Sequence, residues 1–288
     1  MAETAGSGLF ITGVHGQLGR ALVEAAKGRA WTVAGCDLDT LDICDREAVH
    51  RWITDARPSA VINCAAFTSV DDCEINEAEA TAINGTAVGH LAAACTVVGA
   101  RLVQISTDYV FPGDGDRPYR EDDQTAPLSA YGRSKLLGEE LARSSSSHLV
   151  VRTAWLYGHG GRSFVEAIRG QIESSATELR VVADQRGCPT FCDDLAEAIL
   201  DLVDAEAGGV VHTVNTGDTT WHGFAVEIAR RLGADVEITA VSSKEYRRPA
   251  PRPAYSILDT SRLVALLGRP MPPWQDALGR YLGTRCAS

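Results

Sequence analysis

Three glycines at fixed spacing, where an apolar run gives way to an amphipathic one, limit the fold more than any other feature. LFITG (9–13) is short and rich in β-branched residues, RALVEAAK (20–27) has helical periodicity, and Gly13, Gly16 and Gly19 lie at the junction. A strand turning straight into a helix around G-x-x-G-x-x-G is the first βα turn of a dinucleotide-binding fold. Gly13 permits the tight turn, Gly16 lets the backbone approach a pyrophosphate, and Gly19 lets the helix pack close to the strand. His15, Gln17 and Leu18 complete the turn, whose free N–H groups face the phosphates. The alternative is a plain strand–helix turn.

The strand–helix rhythm continues. WTVAGCD (31–37), AVINCAA (60–66) and ARLVQIST (100–107) read as strands. DREAVHRWITDARP (45–58) reads as a helix stopped by Pro58, and 77–99 as a long amphipathic helix. Apolar strands separated by helices imply an α/β, Rossmann-like, doubly wound parallel sheet covered on both faces. Asp37 ends the second strand, where a carboxylate can bond the adenosine ribose and repel a 2′-phosphate. That favours NADH over NADPH unless Arg20 offsets it; Asp37 also reads as a turn residue.

Composition narrows the partners. The 288 residues carry a formal net charge of −11, against a nucleic-acid backbone binder. No uninterrupted run of about 18 apolar residues appears, and MAETAGSG lacks the basic and apolar regions of a signal peptide. Eight cysteines, including Cys286, show no C-x-x-C spacing. They read as buried hydrophobes of a reducing cytoplasm, with a redox pair at Cys188 and Cys192 as the alternative.

In AYGRSK (130–135), Tyr131 and Lys135 stand one helical turn apart and share a face. The pair alone does not separate chemistry from two ordinary helix residues. Its surroundings do. The glycine spacing resembles that of the extended short-chain dehydrogenase/reductase superfamily. NCAAFTSVDDCE (63–74), QISTDYVFPG (104–113), APLSAYGRSKLLGE (126–139), RTAWLYG (152–158), DQRGCPTFCDDLA (184–196) and RPAYSILDT (252–260) resemble the dTDP-4-dehydrorhamnose reductase family, from about residue 8 to 283.

The resemblance implies reduction of a 4-keto-6-deoxy sugar nucleotide by NADPH or NADH. Tyr131 is the implied general acid, and Lys135 lowers its pKa and holds the nicotinamide ribose. Thr107 bonds the substrate carbonyl. Ser106, its neighbour on a strand, points to the opposite face. Ala65 and Ala66 leave room for the cofactor, or simply pack the sheet; Asp42 and Ile43 lie near adenine, or in a loop entering a helix. Val70, Asp108, Tyr109 and Trp155 are implied sugar contacts, although Tyr109 also reads as a core aromatic. Asn84 steadies the site or faces solvent. RRPAPRP (247–253) interleaves arginines with prolines and reads either as a polar connector or as a stiff loop from which Arg252 reaches the nucleotide diphosphate.

The implied organisation is a dinucleotide-binding domain of residues 1–156 and 193–220, and a substrate domain of 157–192 and 221–288. DDLAEAILDLVDAE (193–206) reads as a helix with an Asp N-cap, and 209–217 as a strand. Some family members join subunits through a glutamate-held metal. Ala21 stands at that place here, so no metal is expected, and the chain is expected to act as a monomer or homodimer. Two alternatives remain open. One is a 4-ketoreductase for another dTDP-deoxysugar or streptose-type nucleotide. The other is a non-catalytic regulatory subunit of the methionine adenosyltransferase type.

Overall fold

β-Branched and apolar runs become strands wherever a helix covers each face. The computed structural model describes residues 8–29, 31–174 and 176–283; residues 1–7 and Cys286 lie outside them. In the first half, β1 (Gly8–Thr12), α1 (Gln17–Lys27), β2 (Thr32–Cys36), α2 (Arg46–Ala56) and β3 (Ala60–Asn63) alternate. Next come α3 (Val70–Ile75), α4 (Glu77–Thr81), a π-helical turn (Ala82–Thr86), α5 (Ala87–Val98), β4 (Arg101–Thr107), α6 (Ala130–Ala142) and β5 (His148–Thr153). The rest comprises β6 (Leu156–Tyr157), α7 (Phe164–Glu173), β7 (Glu178–Val182), β8 (Arg186–Gly187), β9 (Thr190–Phe191) and α8 (Cys192–Asp204). It ends with β10 (Gly209–His212), β11 (Thr219–Thr220), α9 (Trp221–Leu232), β12 (Glu237–Val241), α10 (Ser261–Leu267) and α11 (Trp274–Gly283).

Six strands form one parallel sheet in the order β10-β5-β4-β3-β1-β2. Side-chain alternation sorts its residues between two cores. Leu9, Ile11, Ile62, Val103 and Val151 pack with α1 and α8, whereas Phe10, Val61, Leu102 and Val150 pack with α2 and α5. A third core joins α7, α9 and α11 through Val165, Phe224, Ile228, Leu278 and Tyr281. Chain order reverses between β1 and β3, so the crevice at their carboxyl ends is the topological switch point.

Local signals end several elements where the sequence places them. Asp45 caps α2 by accepting from the backbone N–H groups of Glu47 and Ala48, both at 3.0 Å. Arg57, held out of the right-handed helical region by the following Pro58, closes α2 at φ 42°. The 22-residue helix Glu77–Val98 is long and apolar enough to cross a membrane by length and composition. Here it packs against α2, α6 and the sheet, and Val88, Leu91 and Cys95 are wholly buried. Its π turn inserts an extra residue, a feature common beside functional sites.

Two expectations are corrected. Helix α8 starts at Cys192, so Asp193 lies in its first turn and is not the N-cap. Pairing of β9 with β6 runs the strand straight into the helix, leaving Asp193 and Asp194 to favour the dipole. Only Gly209–His212 of the expected 209–217 strand pairs in the sheet. Beyond it, Asn215 and Thr216 bond the 271–272 backbone instead.

Behind the sheet's carboxyl edge, Arg152 of β5 donates two bonds to Glu139 of α6, at 2.9 and 2.8 Å, and the side chains are only 2% and 0% exposed. Ser106 of β4 donates to the same carboxylate at 2.5 Å, so its hydroxyl points away from that of Thr107 as strand alternation requires. Removing one partner of such a pair strands a buried charge. Arg152→Ala is expected to lower unfolding free energy by about 3–5 kcal/mol in urea titration; a loss below about 1 kcal/mol would contradict this account. A Cβ at Gly19 would sit 2.3 Å from the Gly13 carbonyl oxygen, forcing β1 and α1 apart. Gly19→Ala should therefore weaken dinucleotide binding at least about tenfold by calorimetry.

Candidate active site

The glycine turn, the ends of β3, β4 and β5, and the start of α6 surround one open cavity of about 570 Å³. A second, of about 540 Å³, shares Gly13, Gly16, Cys64 and Ala66 with it and extends along the end of β2. Gly13 has φ 64°, and a Cβ there would lie 2.8 Å from the Ala65 nitrogen. Only glycine lets the β1 turn approach the β3 end this closely. The two cavities meeting over bare backbone fit an extended dinucleotide.

The second cavity is lined by His15, Asp37, Asp42 and Ile43, with Ala65 and Ala66 on the β3 side. Asp37 Oδ2 accepts from the His15 N–H at 3.0 Å and Oδ1 from that of Leu38 at 2.9 Å. Asp37 thus orders the turn and also lines the cavity. Leu38 and Ile83, which the sequence reading missed, also line this space. Gln17 Nε2 reaches across to the Gly158 carbonyl at 3.0 Å, tying the glycine turn to the segment after β6.

Thr107, Tyr131 and Lys135 all line the larger cavity, with Leu18, Ala66, Val70, Asp108, Tyr109 and Trp155. Ser129 caps α6 by accepting from the Gly132 N–H at 3.1 Å, which places Tyr131 and Lys135 in its first two turns. A Cβ at Gly132 would stand 2.3 Å from the Tyr109 carbonyl oxygen, so the helix start seats directly on the loop after β4. The Tyr109 and Tyr131 rings meet edge to face at 5.6 Å. Asn84 is buried, not solvent-facing: from the π turn it bonds Phe67 N at 2.8 Å, Phe67 O at 3.0 Å and Ser134 Oγ at 3.0 Å. Ser134 in turn donates to the Tyr131 carbonyl at 2.8 Å.

The electrostatics correct one expectation. The Tyr131 hydroxyl is raised above its ordinary value, not lowered: burial dominates, and its hydrogen bond with Thr107 only opposes it. The Lys135 ammonium donates to the Ile105 carbonyl at 2.6 Å. Burial lowers Lys135 to about 8, against support from the Glu139 carboxylate one turn on. Asp108 is also buried, which pushes its carboxyl up to about 6. It accepts the Thr107 hydroxyl at 3.0 Å and so leaves the Thr107 lone pairs to the Tyr109 N–H, at 3.2 Å, and the cavity.

Arg252 stands beside the larger cavity and not on its wall. It lines a neighbouring cavity of about 290 Å³ with Arg180 and Arg248, and the Asp71 carboxylate grips it with two bonds of 3.0 Å. The sequence reading also missed Arg162 and Trp221, both on the larger cavity. Only the Thr220 cap before Trp221 hinted that this indole is fixed in place, since Thr220 Oγ1 accepts from the Gly223 N–H at 3.0 Å.

Comparison with known proteins identifies the family of the chain. Residues 7–286 match the family model described as the RmlD substrate binding domain. The dTDP-4-dehydrorhamnose reductase of Streptomyces griseus is 44% identical over 285 residues, covering 96% of this chain and 93% of that protein. The crystal structure of a dTDP-4-dehydrorhamnose reductase from Clostridium acetobutylicum superposes with a TM-score of 0.94 at 40% identity, covering 97% and 99% of the two chains. That of the Bacillus anthracis dTDP-4-dehydrorhamnose reductase in complex with NADP gives 0.93 at 36% identity, covering 96% and 99%. The chain belongs to the dTDP-4-dehydrorhamnose reductase family.

Proposed function

We propose that the protein reduces the C4 ketone of dTDP-4-dehydro-L-rhamnose to give dTDP-L-rhamnose, using NADPH or NADH. The observation that carries this reading is the convergence of Thr107, Tyr131 and Lys135 on one cavity beside the glycine turn. A non-catalytic regulatory subunit has no use for that set.

Residues 1–156 and 193–220 serve as the dinucleotide-binding domain, and 157–192 and 221–288 as the substrate domain. Gly13, Gly16 and Gly19, with His15, Gln17, Leu18, Asp37, Asp42, Ile43, Ala65 and Ala66, hold the cofactor. The reduced nicotinamide supplies hydride when bound. Tyr131, protonated at neutral pH as any tyrosine of pKa about 10 is, donates its proton to the ketone oxygen as negative charge develops there. Thr107 donates to the same oxygen once its hydroxyl turns away from Asp108, its partner in the ligand-free site, and Lys135 places its positive charge close by. Val70, Asp108, Tyr109 and Trp155 shape the sugar pocket, and Arg252, with its charge partly offset by Asp71, borders the nucleotide side. The reaction is placed in the cytoplasm, which the seven free cysteines of the described residues fit. The working unit is a monomer or homodimer with no nucleic-acid or membrane partner.

Loss of reduced-nicotinamide absorbance with dTDP-4-dehydro-L-rhamnose and a panel of other 4-keto sugar nucleotides tests the reading directly. Faster turnover of another ketone would replace the assigned sugar. Tyr131→Phe should bind cofactor as the parent does and lose about 10²–10⁴-fold in turnover, the range for a positioned acid; parent-like turnover would remove Tyr131 from the role. Lys135 is needed as a cation and titrates at about 8, so kcat/KM should fall as pH rises through that value. A profile flat to about pH 9.5 would show that no required lysine charge is lost near 8.

A further inference from the structure

The carboxyl end of β5 leads into a strained position. Trp155 has φ 46°, in the left-handed region that bulky residues rarely adopt, and such outliers persist where their surroundings hold them. Its carbonyl accepts the Thr190 N–H at 3.2 Å. Its indole lies flat on that of Trp221, with ring centroids 3.4 Å apart and planes 5° apart. It also packs on Gly187, where a Cβ would stand 2.5 Å from Trp155 Cε2. Gly187 and Trp221 come from one small device: β8 and β11 pair antiparallel, Thr219 opposite Gly187, and α9 starts at Trp221 immediately after β11. The Thr220 cap fixes that helix start.

Trp221 borders both the cavity of Thr107 and Tyr131 and the arginine-lined cavity of Arg180, Arg248 and Arg252. Phe164 supports its ring from the side, at 4.7 Å. We infer that Trp221 is a positioning residue: by stacking on Trp155 it holds that ring in its left-handed setting and fixes the wall against which the sugar of a nucleotide sugar is oriented. This rests on the reading of the larger cavity as the keto-sugar site. Trp221 acts through Trp155, so its loss affects substrate placement and leaves cofactor binding intact.

Trp221→Leu retains apolar bulk for folding and removes the stacking plane, and Trp221→Phe retains a ring. Two stacked indoles give an exciton couplet in circular dichroism, so the stack can be read without turnover. Trp221→Leu is expected to abolish the couplet and raise KM for the keto-sugar nucleotide about tenfold, the scale of one aromatic pair. Cofactor affinity should stay within about twofold, and Trp221→Phe should recover most of the KM. A Trp221→Leu enzyme with parent-like KM and kcat, or a Trp221→Phe enzyme as impaired as Trp221→Leu, would overturn the inference. If the parent reduces none of the ketones, the functional reading fails separately. Binding of dTDP-glucose then decides the matter: affinity lost in Trp221→Leu supports the positioning role, and unchanged affinity overturns it.

Discussion

The buried pair between Arg152 and Glu139 joins the three elements from which the site is built. Arg152 is on β5, Glu139 on α6, and Ser106 of β4 bonds the same carboxylate. Thr107 follows Ser106 on β4, Tyr131 and Lys135 precede Glu139 on α6, and Trp155 follows Arg152 at the end of β5. Desolvating two charges is unfavourable in itself, and only good geometry with further hydrogen bonds offsets it. Here both carboxylate oxygens are bonded, and the Arg152 guanidinium also lies over the Phe111 ring at 5.0 Å. A pair so placed ties β5 to the helix that carries Tyr131 and Lys135.

Close backbone approach does the remaining positioning. Gly13 against Ala65 brings the ends of β1 and β3 together at the switch point, and Gly132 seats α6 on the Tyr109 carbonyl. Gly138 does the same for the π turn, where a Cβ would stand 2.2 Å from the Asn84 carbonyl oxygen. Asn84 then spans three segments, binding the 67 loop to α6 through both ends of its amide. Thr107, Tyr131 and Lys135 are thus held by rigid elements meeting at glycines, which keeps their side chains in register.

Much of this was legible in the chain because the signals are local. Strand alternation assigned Ser106 and Thr107 to opposite sides, and helical spacing put Tyr131 and Lys135 on one face. Where the reading failed, a distant partner decided the outcome. Asp193 lost its cap position to the pairing of β9 with β6. The Tyr131 pKa moved up because desolvation outweighs its polar contacts, a balance that no residue spacing encodes.

The sequence by itself determined the parallel α/β alternation, the glycine turn, and the faces on which Thr107, Tyr131 and Lys135 lie. Backbone sterics and side-chain periodicity act over a few residues, so they can be read along the chain. Only the tertiary structure decided that Asn84 is buried, that Lys135 lies beside Glu139 in an apolar setting, and that Trp221 stacks on Trp155 from 66 positions away. Burial, charge and stacking depend on which surfaces meet in space, and those meetings are set by the packing of the whole sheet and its helices.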